Sequence, residues 1–142
     1  MMRWDAVLFD LDGTLVDSAP DLAGAVNDML HARGREALAF ERLRPLCGAG
    51  ARGMLGAAFG LTPADDAYAA MRDDFIDRYR ARLLHSTRVF EDVPAMLQAI
   101  ESAGQRWGVV TNKAVSLADP LLHGLSLRDR AGVLVGGDTT PH

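Results

Sequence analysis

Two aspartates separated by one residue, Asp10 and Asp12, follow a short apolar run near the start of the chain. The run Ala6–Phe9 is rich in strand-forming residues, and the Gly13-Thr14 pair after the aspartates is typical of a turn. A strand would hold Asp10 rigidly at its carboxyl end, while the turn would leave backbone N–H groups free to point at a bound anion. A carboxylate held in this way can attack phosphorus and form an aspartyl-phosphate.

The second carboxylate suits a different chemical step. The turn at Gly13 ends the strand, so we expect Asp12 to point away from the line of Asp10 and to act as acid or base toward a leaving oxygen. Two carboxylates would repel a phosphate dianion, and oxygen ligands favour Mg²⁺ as the compensating ion. The pattern therefore predicts Mg²⁺ at Asp10 and Asp12. An aspartate before glycine is also common in plain turns, and Asp17 is interpreted as a helix cap.

A second apolar run that ends in polar residues lies in the C-terminal half. Trp107–Val110 is predicted to be a strand, and Thr111, Asn112 and Lys113 follow it. Because ligands of open α/β sheets bind at the carboxyl ends of the strands, we expect Asp10 and Thr111 to face one crevice. Thr111 could donate to a phosphoryl oxygen and Asn112 could add a donor, whereas Lys113 is equally well interpreted as a phosphate ligand or as a solvated loop lysine.

Strands and helices alternate in this second half, with a further strand predicted at 132–135 before Gly136-Gly137-Asp138. This order predicts an α/β fold, a three-layer Rossmann-like parallel sheet that is incomplete and has its crossover helices beside it. Asp119-Pro120 predicts an interruption in the helix over 115–123.

The segment from Ala19 to His85 contains helical patterns and no convincing strand. We predict an α/β core formed by residues 1–17 and 86–142, with a helical cap domain over 18–85 that is inserted after the first strand and acts as a lid over the crevice. Thr62-Pro63 predicts the start of its longest helix. Five residues form an apolar stripe along that helix, interpreted as core: Tyr68, Met71, Phe75, Tyr79 and Leu83.

Composition narrows the class of protein. The 142 residues carry a formal net charge of −4, which gives no electrostatic reason to expect a nucleic-acid partner. Cys47 is the single cysteine, is interpreted as a small buried hydrophobe, and suits a reducing cytoplasm. No apolar run reaches the roughly 20 residues that span a bilayer, so no membrane partner is predicted. The oligomeric state stays open.

The two polar-ended strands resemble known motifs. The segment Asp10–Leu15, with Asp17-Ser18 behind it, is similar to the first signature of the haloacid dehalogenase (HAD) superfamily. Val109–Lys113 is similar to the second signature, and the helical insertion resembles the cap of the subgroup that includes phosphoglycolate phosphatase. The resemblance implies a phosphatase of small phosphorylated metabolites.

The resemblance also implies roles for individual residues. Asp10 would be the nucleophile and a metal ligand, and Asp12 would be the acid and base and lend its carbonyl to the metal. The remaining implied substrate and phosphate positions are Leu11, Gly13, Thr14, Thr111, Asn112, Lys113 and, from a glycine-containing cap loop, Gly48 and Arg52. Arg52 could hold a substrate carboxylate, or it could be a solvent-facing helix residue.

Three functions fit these observations. The first is hydrolysis of 2-phosphoglycolate, and the second is hydrolysis of a sugar phosphate such as N-acetylmuramic acid 6-phosphate. A third is a non-catalytic phosphate-binding or phospho-acceptor domain, although such a receiver has no need of a long helical insertion. A dinucleotide-binding site is disfavoured because no Gly-x-Gly-x-x-Gly follows the first strand.

The superfamily pattern continues with a phosphate-binding lysine, a strand and acidic metal ligands. The sequence as given reaches His142 before these elements. We therefore expect the 142-residue chain alone to have little phosphatase activity, and an added strand to pair beside the Asp10 strand.

Overall fold

The computed structural model describes residues 5–139, and within them the chain divides into two compact units. The sheet unit combines the N-terminal segment that ends at Asp17 with the segment that begins at Arg88. The helical unit is Ser18–Thr87.

The sheet unit contains a three-stranded parallel sheet, as the alternation of strands and helices predicts. Its strands are β1 (Ala6–Phe9), β4 (Arg106–Val110) and β5 (Leu134–Val135), in the order β1-β4-β5. Phe9 is the register partner of Val109, and Val109 is in turn the partner of Leu134, so the carboxyl ends of all three strands meet at one edge. The parallel α/β architecture predicted from the sequence is confirmed.

Two helices complete the sheet unit. Helix α5 (Val93–Ser102) packs against β4, and helix α6 (Val115–Gly124) contacts β5. The indole of Trp107 is buried among these elements, where its Nε1 donates to Glu101 Oε1 at 3.0 Å. Burial of apolar side chains is the main force that holds the strands to the helices, and these residues include Leu11, Leu15, Val93, Leu97, Trp107, Val109, Leu117, Leu121, Leu122 and Leu127.

One face of this sheet carries exposed apolar side chains. A Cβ on Gly108 would lie 2.5 Å from Val133 Cγ1 and 3.2 Å from Leu8 Cδ2, so these three residues share a face. Leu8 is 59% exposed and Val133 44% exposed. The bare Cα of Gly108 is therefore what lets its neighbours approach across the middle strand.

A short antiparallel ribbon marks the two points where the chain passes between units. Strand β2 (Val16–Asp17) pairs with strand β3 (Arg88–Val89), with Asp17 opposite Arg88. Asp17 therefore lies in a strand and not at a helix cap, which corrects its sequence interpretation. The first residue outside the following helix is Ser18, and its side chain makes no capping hydrogen bond.

Helices make up the second unit. They are α1 (Ala19–Ala32), α2 (Phe40–Leu43), a 3₁₀ helix (Arg44–Ala49), α3 (Gly50–Phe59) and α4 (Tyr68–Ala81). Helix α1 packs against both α3 and α4. From the predicted stripe, Phe75, Tyr79 and Leu83 are buried, and the rings of Phe75 and Tyr79 stack with centroids 6.2 Å apart. Cys47 is also buried, as predicted.

Two helix boundaries differ from the sequence prediction. Helix α4 begins at Tyr68, not at Thr62, because the Asp65 carboxylate accepts hydrogen bonds from both the amide and the hydroxyl of Thr62 and so closes a separate turn. Helix α6 runs without interruption through Pro120. A proline removes one backbone donor from a helix, and here the remaining hydrogen bonds and the burial of Leu121 and Leu122 maintain it.

The Asp21 carboxylate joins the two ends of the helical unit. Asp21 is fully buried in α1, and its Oδ2 accepts three hydrogen bonds of 2.8 Å, from the Ser86 and Thr87 amides and the Thr87 hydroxyl. Its Oδ1 lies 3.6 Å from Arg82 Nε, and neither atom of that pair has a hydrogen-bond partner among the described residues. Arg82 also reaches Asp28 Oδ2, at 2.9 Å from Nη1.

Candidate active site

The loop that follows β1 is a tight turn built around one carbonyl. The oxygen of Leu11 accepts hydrogen bonds from the amides of Thr14, Leu15 and Val16, at 3.2, 3.0 and 3.2 Å. Gly13 has φ of +77°, a left-handed conformation that glycine adopts without steric cost. Leu11 and Leu15 are fully buried and anchor the turn. The sequence prediction of a turn at Gly13-Thr14 is confirmed. The expectation that the turn leaves these amides free for an anion is wrong, because Gly13 and Thr14 donate theirs to the Val16 and Leu11 carbonyls.

Asp10 is exposed directly after β1, at the carboxyl edge of the sheet. Its Oδ1 accepts a hydrogen bond from the amide of Leu11 at 2.7 Å. One oxygen is thus fixed by the adjacent backbone, which orients a side chain that solvent can reach. An exposed and oriented carboxylate is what attack on an incoming phosphorus requires.

The loop after β4 is held by its own threonine. Thr111 is buried, its amide donates to the Val135 carbonyl at 2.9 Å, and its hydroxyl oxygen accepts from the Lys113 amide at 3.1 Å. The register of the parallel strands brings this loop to the same edge as Asp10. Asn112, which lies between Thr111 and Lys113 in the sequence, is exposed. Thr111 therefore shapes the loop, in addition to any role toward phosphate.

A third loop, after β5, packs against the second. The Gly137 amide donates to the Lys113 carbonyl at 3.0 Å, and a Cβ on Gly137 would lie 2.3 Å from the Asn112 carbonyl oxygen. Only a residue without a side chain allows this approach of two backbones. Asp138 Oδ1 accepts from the Val115 amide at 2.9 Å, so this carboxylate serves the start of α6.

Lys113 connects the first two loops. Its Nζ lies 3.3 Å from Asp12 Oδ2, and the side chains of Lys113 and Asp12 are 6% and 17% exposed. The structure therefore places Lys113 as a partner of Asp12, and the alternative of a solvated loop lysine is wrong. Sequence reasoning missed the pairing, although one signal was available: Lys113 is the only lysine among the 15 lysine and arginine residues of the chain.

Gly48 and Arg52 belong to the helical unit. Gly48 lies in the 3₁₀ helix, and Arg52 is exposed in the first turn of α3. Gly50, which precedes Arg52, has φ of +59° and begins that helix. Their predicted contact with substrate stays a prediction.

The donor set does not by itself fit the predicted Mg²⁺. Within residues 5–139, no group of three or more His, Cys, Asp and Glu side chains is placed to hold a metal ion. The Asp12 carboxylate has an ammonium beside it, which leaves Asp10 as the exposed carboxylate of the loop. We therefore derive no reaction step through a metal, and Mg²⁺ stays a prediction.

Comparison with known proteins identifies the family of this chain. Residues 7–142 match the family described as haloacid dehalogenase-like hydrolase. The chain belongs to this family. Among curated relatives, this HAD-like hydrolase is 47% identical over 134 residues to a phosphoglycolate phosphatase of Xanthomonas campestris, covering 94% of the chain and 60% of that protein.

Two further relatives extend the comparison. An N-acetylmuramic acid 6-phosphate phosphatase of Pseudomonas aeruginosa is 42% identical over 137 residues, covering 96% of this chain and 61% of that protein. A crystal structure described as a predicted phosphoglycolate phosphatase from Haemophilus somnus matches with a TM-score of 0.84 at 26% identity, over 100% of this chain and 66% of that one. This HAD-like hydrolase thus spans about 60% of the length of the curated relatives it matches.

No helix in the part of the chain that the structure describes has both the length and the apolar character needed to cross a membrane.

Proposed function

We propose that this HAD-like hydrolase is a phosphatase of small organic phosphate monoesters, acting through an aspartyl-phosphate on Asp10. The observation that carries the proposal is the exposed Asp10 carboxylate, held by the Leu11 amide at the carboxyl end of a parallel strand. This position is where α/β sheets bind ligands. The names of the Xanthomonas and Pseudomonas relatives supply the reaction class.

The reaction has two steps. Asp10 attacks phosphorus, the bond from phosphorus to the ester oxygen breaks, and Asp12 gives a proton to the leaving alkoxide. Water then attacks the acyl-phosphate and loses its proton to Asp12, releasing inorganic phosphate and restoring Asp10. Covalent catalysis thus divides one displacement into two.

The preferred substrate is 2-phosphoglycolate, since the relative named phosphoglycolate phosphatase is 47% identical to this chain. N-acetylmuramic acid 6-phosphate is the second candidate, supported by the relative at 42% identity. We propose that the helical unit is the cap and that Arg52 contacts the substrate: it is an exposed cation, suited to a carboxylate such as that of 2-phosphoglycolate.

The test is a phosphate-release assay with both substrates and p-nitrophenyl phosphate, with Mg²⁺ and with a chelator. The chain as given and a chimera that adds the part of the Xanthomonas relative that this chain does not cover are measured in parallel. In the chimera, we expect Asp10→Asn to lower release at least about 1,000-fold, because no amide can replace the nucleophile. Unchanged release in a folded Asp10→Asn protein would refute the role of Asp10.

The phospho-acceptor alternative predicts a different product. A small phosphodonor would then convert the protein to a stable acyl-phosphate, detected as one added phosphate by mass spectrometry, without release of inorganic phosphate. A phosphatase instead releases many equivalents per protein. Arg52→Ala separates the substrates: it should raise KM for 2-phosphoglycolate and leave p-nitrophenyl phosphate, which has no carboxylate, nearly unchanged.

A further inference from the structure

We propose that Lys113 is a positioning residue for Asp12: its ammonium holds the Asp12 carboxylate in one orientation within the loop that carries the nucleophile. The assignment rests on the proposed function for its chemical meaning, whereas the contact itself can be tested without any turnover. It differs from a role as phosphate ligand or as solvated lysine, the two interpretations that the sequence leaves open.

Both backbone polar groups of Lys113 make hydrogen bonds. Its amide donates to the Thr111 hydroxyl at 3.1 Å, and its carbonyl accepts from the Gly137 amide at 3.0 Å. A Cβ on Gly136 would lie 2.8 Å from the same carbonyl oxygen, so the glycine pair after β5 packs directly on this residue. The Cα atom of Lys113, from which the side chain extends, therefore has a fixed position.

The other partner is equally constrained. Asp12 lies inside the turn that the Leu11 carbonyl closes, and the next residue, Gly13, donates its amide to the Val16 carbonyl at 2.9 Å. Two fixed loops thus face each other, and the 3.3 Å contact between Lys113 Nζ and Asp12 Oδ2 joins them. A free lysine of a loop keeps its ammonium in water, but this side chain is only 6% exposed.

The chemical type of the cation is informative. The chain has 15 lysine and arginine residues, and 14 of them are arginine. Lys113 is the single lysine. An ammonium is a compact charge with three donors, whereas guanidinium is a wide planar fork. A contact of 3.3 Å at an exposure of only 6% suits the compact group.

Orientation is the property that this contact supplies to the reaction. An aspartate that gives a proton to a leaving oxygen must face that oxygen, and a small displacement of an acid or base costs much of its effect. The pairing of one carboxylate oxygen with Lys113 restricts rotation of the side chain. Loss of Lys113 should therefore damage proton transfer more than it damages binding.

The single lysine makes the contact directly observable. With ¹⁵N-labelled lysine, the protein has one side-chain ammonium, and its proton-coupled signal is visible at low temperature only while exchange with water is slow. We expect that signal in the unmodified protein and its loss in Asp12→Asn, because an amide does not hold an ammonium as a carboxylate does. Asp10→Asn, which changes the neighbouring carboxylate of the same loop, is the matched control and should keep the signal.

Backbone amide spectra of each variant establish that it is folded. If Asp12→Asn does not fold, acylation of Lys113 in the unmodified protein gives the second measurement. Because the Lys113 side chain is only 6% exposed, an amine reagent should modify it at least about tenfold more slowly in the native chain than in urea. A persistent signal in folded Asp12→Asn, loss of the signal in Asp10→Asn alone, or equal acylation rates would each overturn the proposal.

Activity supplies the test of positioning. Lys113→Met should lower kcat on 2-phosphoglycolate, whose alkoxide needs a proton, by about 100-fold, but lower kcat on p-nitrophenyl phosphate, a good leaving group, by less than about fivefold. KM should change little for both. An equal loss on both substrates would contradict a positioning role. If the chimera also hydrolyses no phosphate ester, the proposed function fails, and the ammonium signal still decides the contact.

Discussion

Each unit of this HAD-like hydrolase contains a carboxylate and a cation paired at low solvent exposure, and the two pairs are built differently. Asp21 of the helical unit is fully buried and accepts three hydrogen bonds on one oxygen, while Arg82 Nε stays 3.6 Å from the other. Asp12 of the sheet unit is 17% exposed and has the Lys113 ammonium at 3.3 Å.

The difference separates a structural carboxylate from the one that we propose as acid and base. Asp21 uses its oxygens on the backbone at Ser86 and Thr87, so its removal would leave buried amides without an acceptor. Asp12 keeps access to solvent beside the exposed Asp10, which a group that exchanges protons with substrate and water requires. An ion pair of low exposure thus stabilises the fold in the helical unit, whereas in the sheet unit we propose that it orients a group for proton transfer.

The largest effect is expected for Asp21→Ala. Removing one member of a buried pair costs about 3–5 kcal/mol of unfolding free energy, because a charged partner and several donors lose their acceptor. Urea unfolding of the full chain measures the change. Asp28→Ala removes a carboxylate that contacts the same Arg82 but is 54% exposed, and it should cost less than about 1 kcal/mol.

Lys113→Met, measured in the same urea assay, removes the cation of the other ion pair, Asp12–Lys113. Its partner Asp12 reaches solvent, so the loss of stability should be well below that of Asp21→Ala. An unfolding free energy of Asp21→Ala within about 1 kcal/mol of that of the unmodified protein would contradict this distinction between the two pairs.

A smaller effect is expected at Gly24, which lies beneath Arg82. A Cβ there would meet the Arg82 guanidinium, with Cζ 2.3 Å away, so Gly24→Ala must displace the arginine from Asp21 and Asp28. We expect a loss of about 1–2 kcal/mol by thermal or urea unfolding. Gly56→Ala in α3, where the nearest atom is the Leu61 carbonyl oxygen at 3.7 Å, is the control and should be neutral or stabilising. Equal behaviour of both variants would show that Arg82 moves freely.

The smallest effect concerns a carboxylate at the surface. Hydrogen bonds from Trp107 and Arg130 hold the pKa of Glu101 below its ordinary value, and the interaction with the Arg130 charge adds to them. A depressed pKa stabilises the fold above the ordinary value near 4.5, and this contribution is lost as pH falls through the lower, folded value. Glu101→Gln should therefore flatten the decline of stability between pH 5.5 and 3, measured by urea unfolding at about six pH values. An unchanged slope would show that Glu101 is not linked to folding.

Much of the sheet unit could be predicted from the sequence. Apolar runs that end in polar residues located β1 and β4, and Gly13 located the turn, because strand propensity and glycine conformation are local properties. The Asp12–Lys113 contact could not be predicted, since it depends on how two distant loops meet and on which side chains that meeting buries. The start of α4 was missed because Asp65, and not Thr62, supplies the accepting oxygen at that turn.

The two-residue ribbon of β2 and β3 has a consequence for how this protein can be altered. The chain enters and leaves the helical unit at Asp17 and Arg88, which are opposite each other in an antiparallel pair. Such partners have Cα atoms about 5 Å apart, a gap that a two-residue hairpin turn closes. We therefore expect that the helical unit can be enlarged, replaced or removed by joining Asp17 to Arg88 through a short turn, and that the strands of the sheet then keep their order.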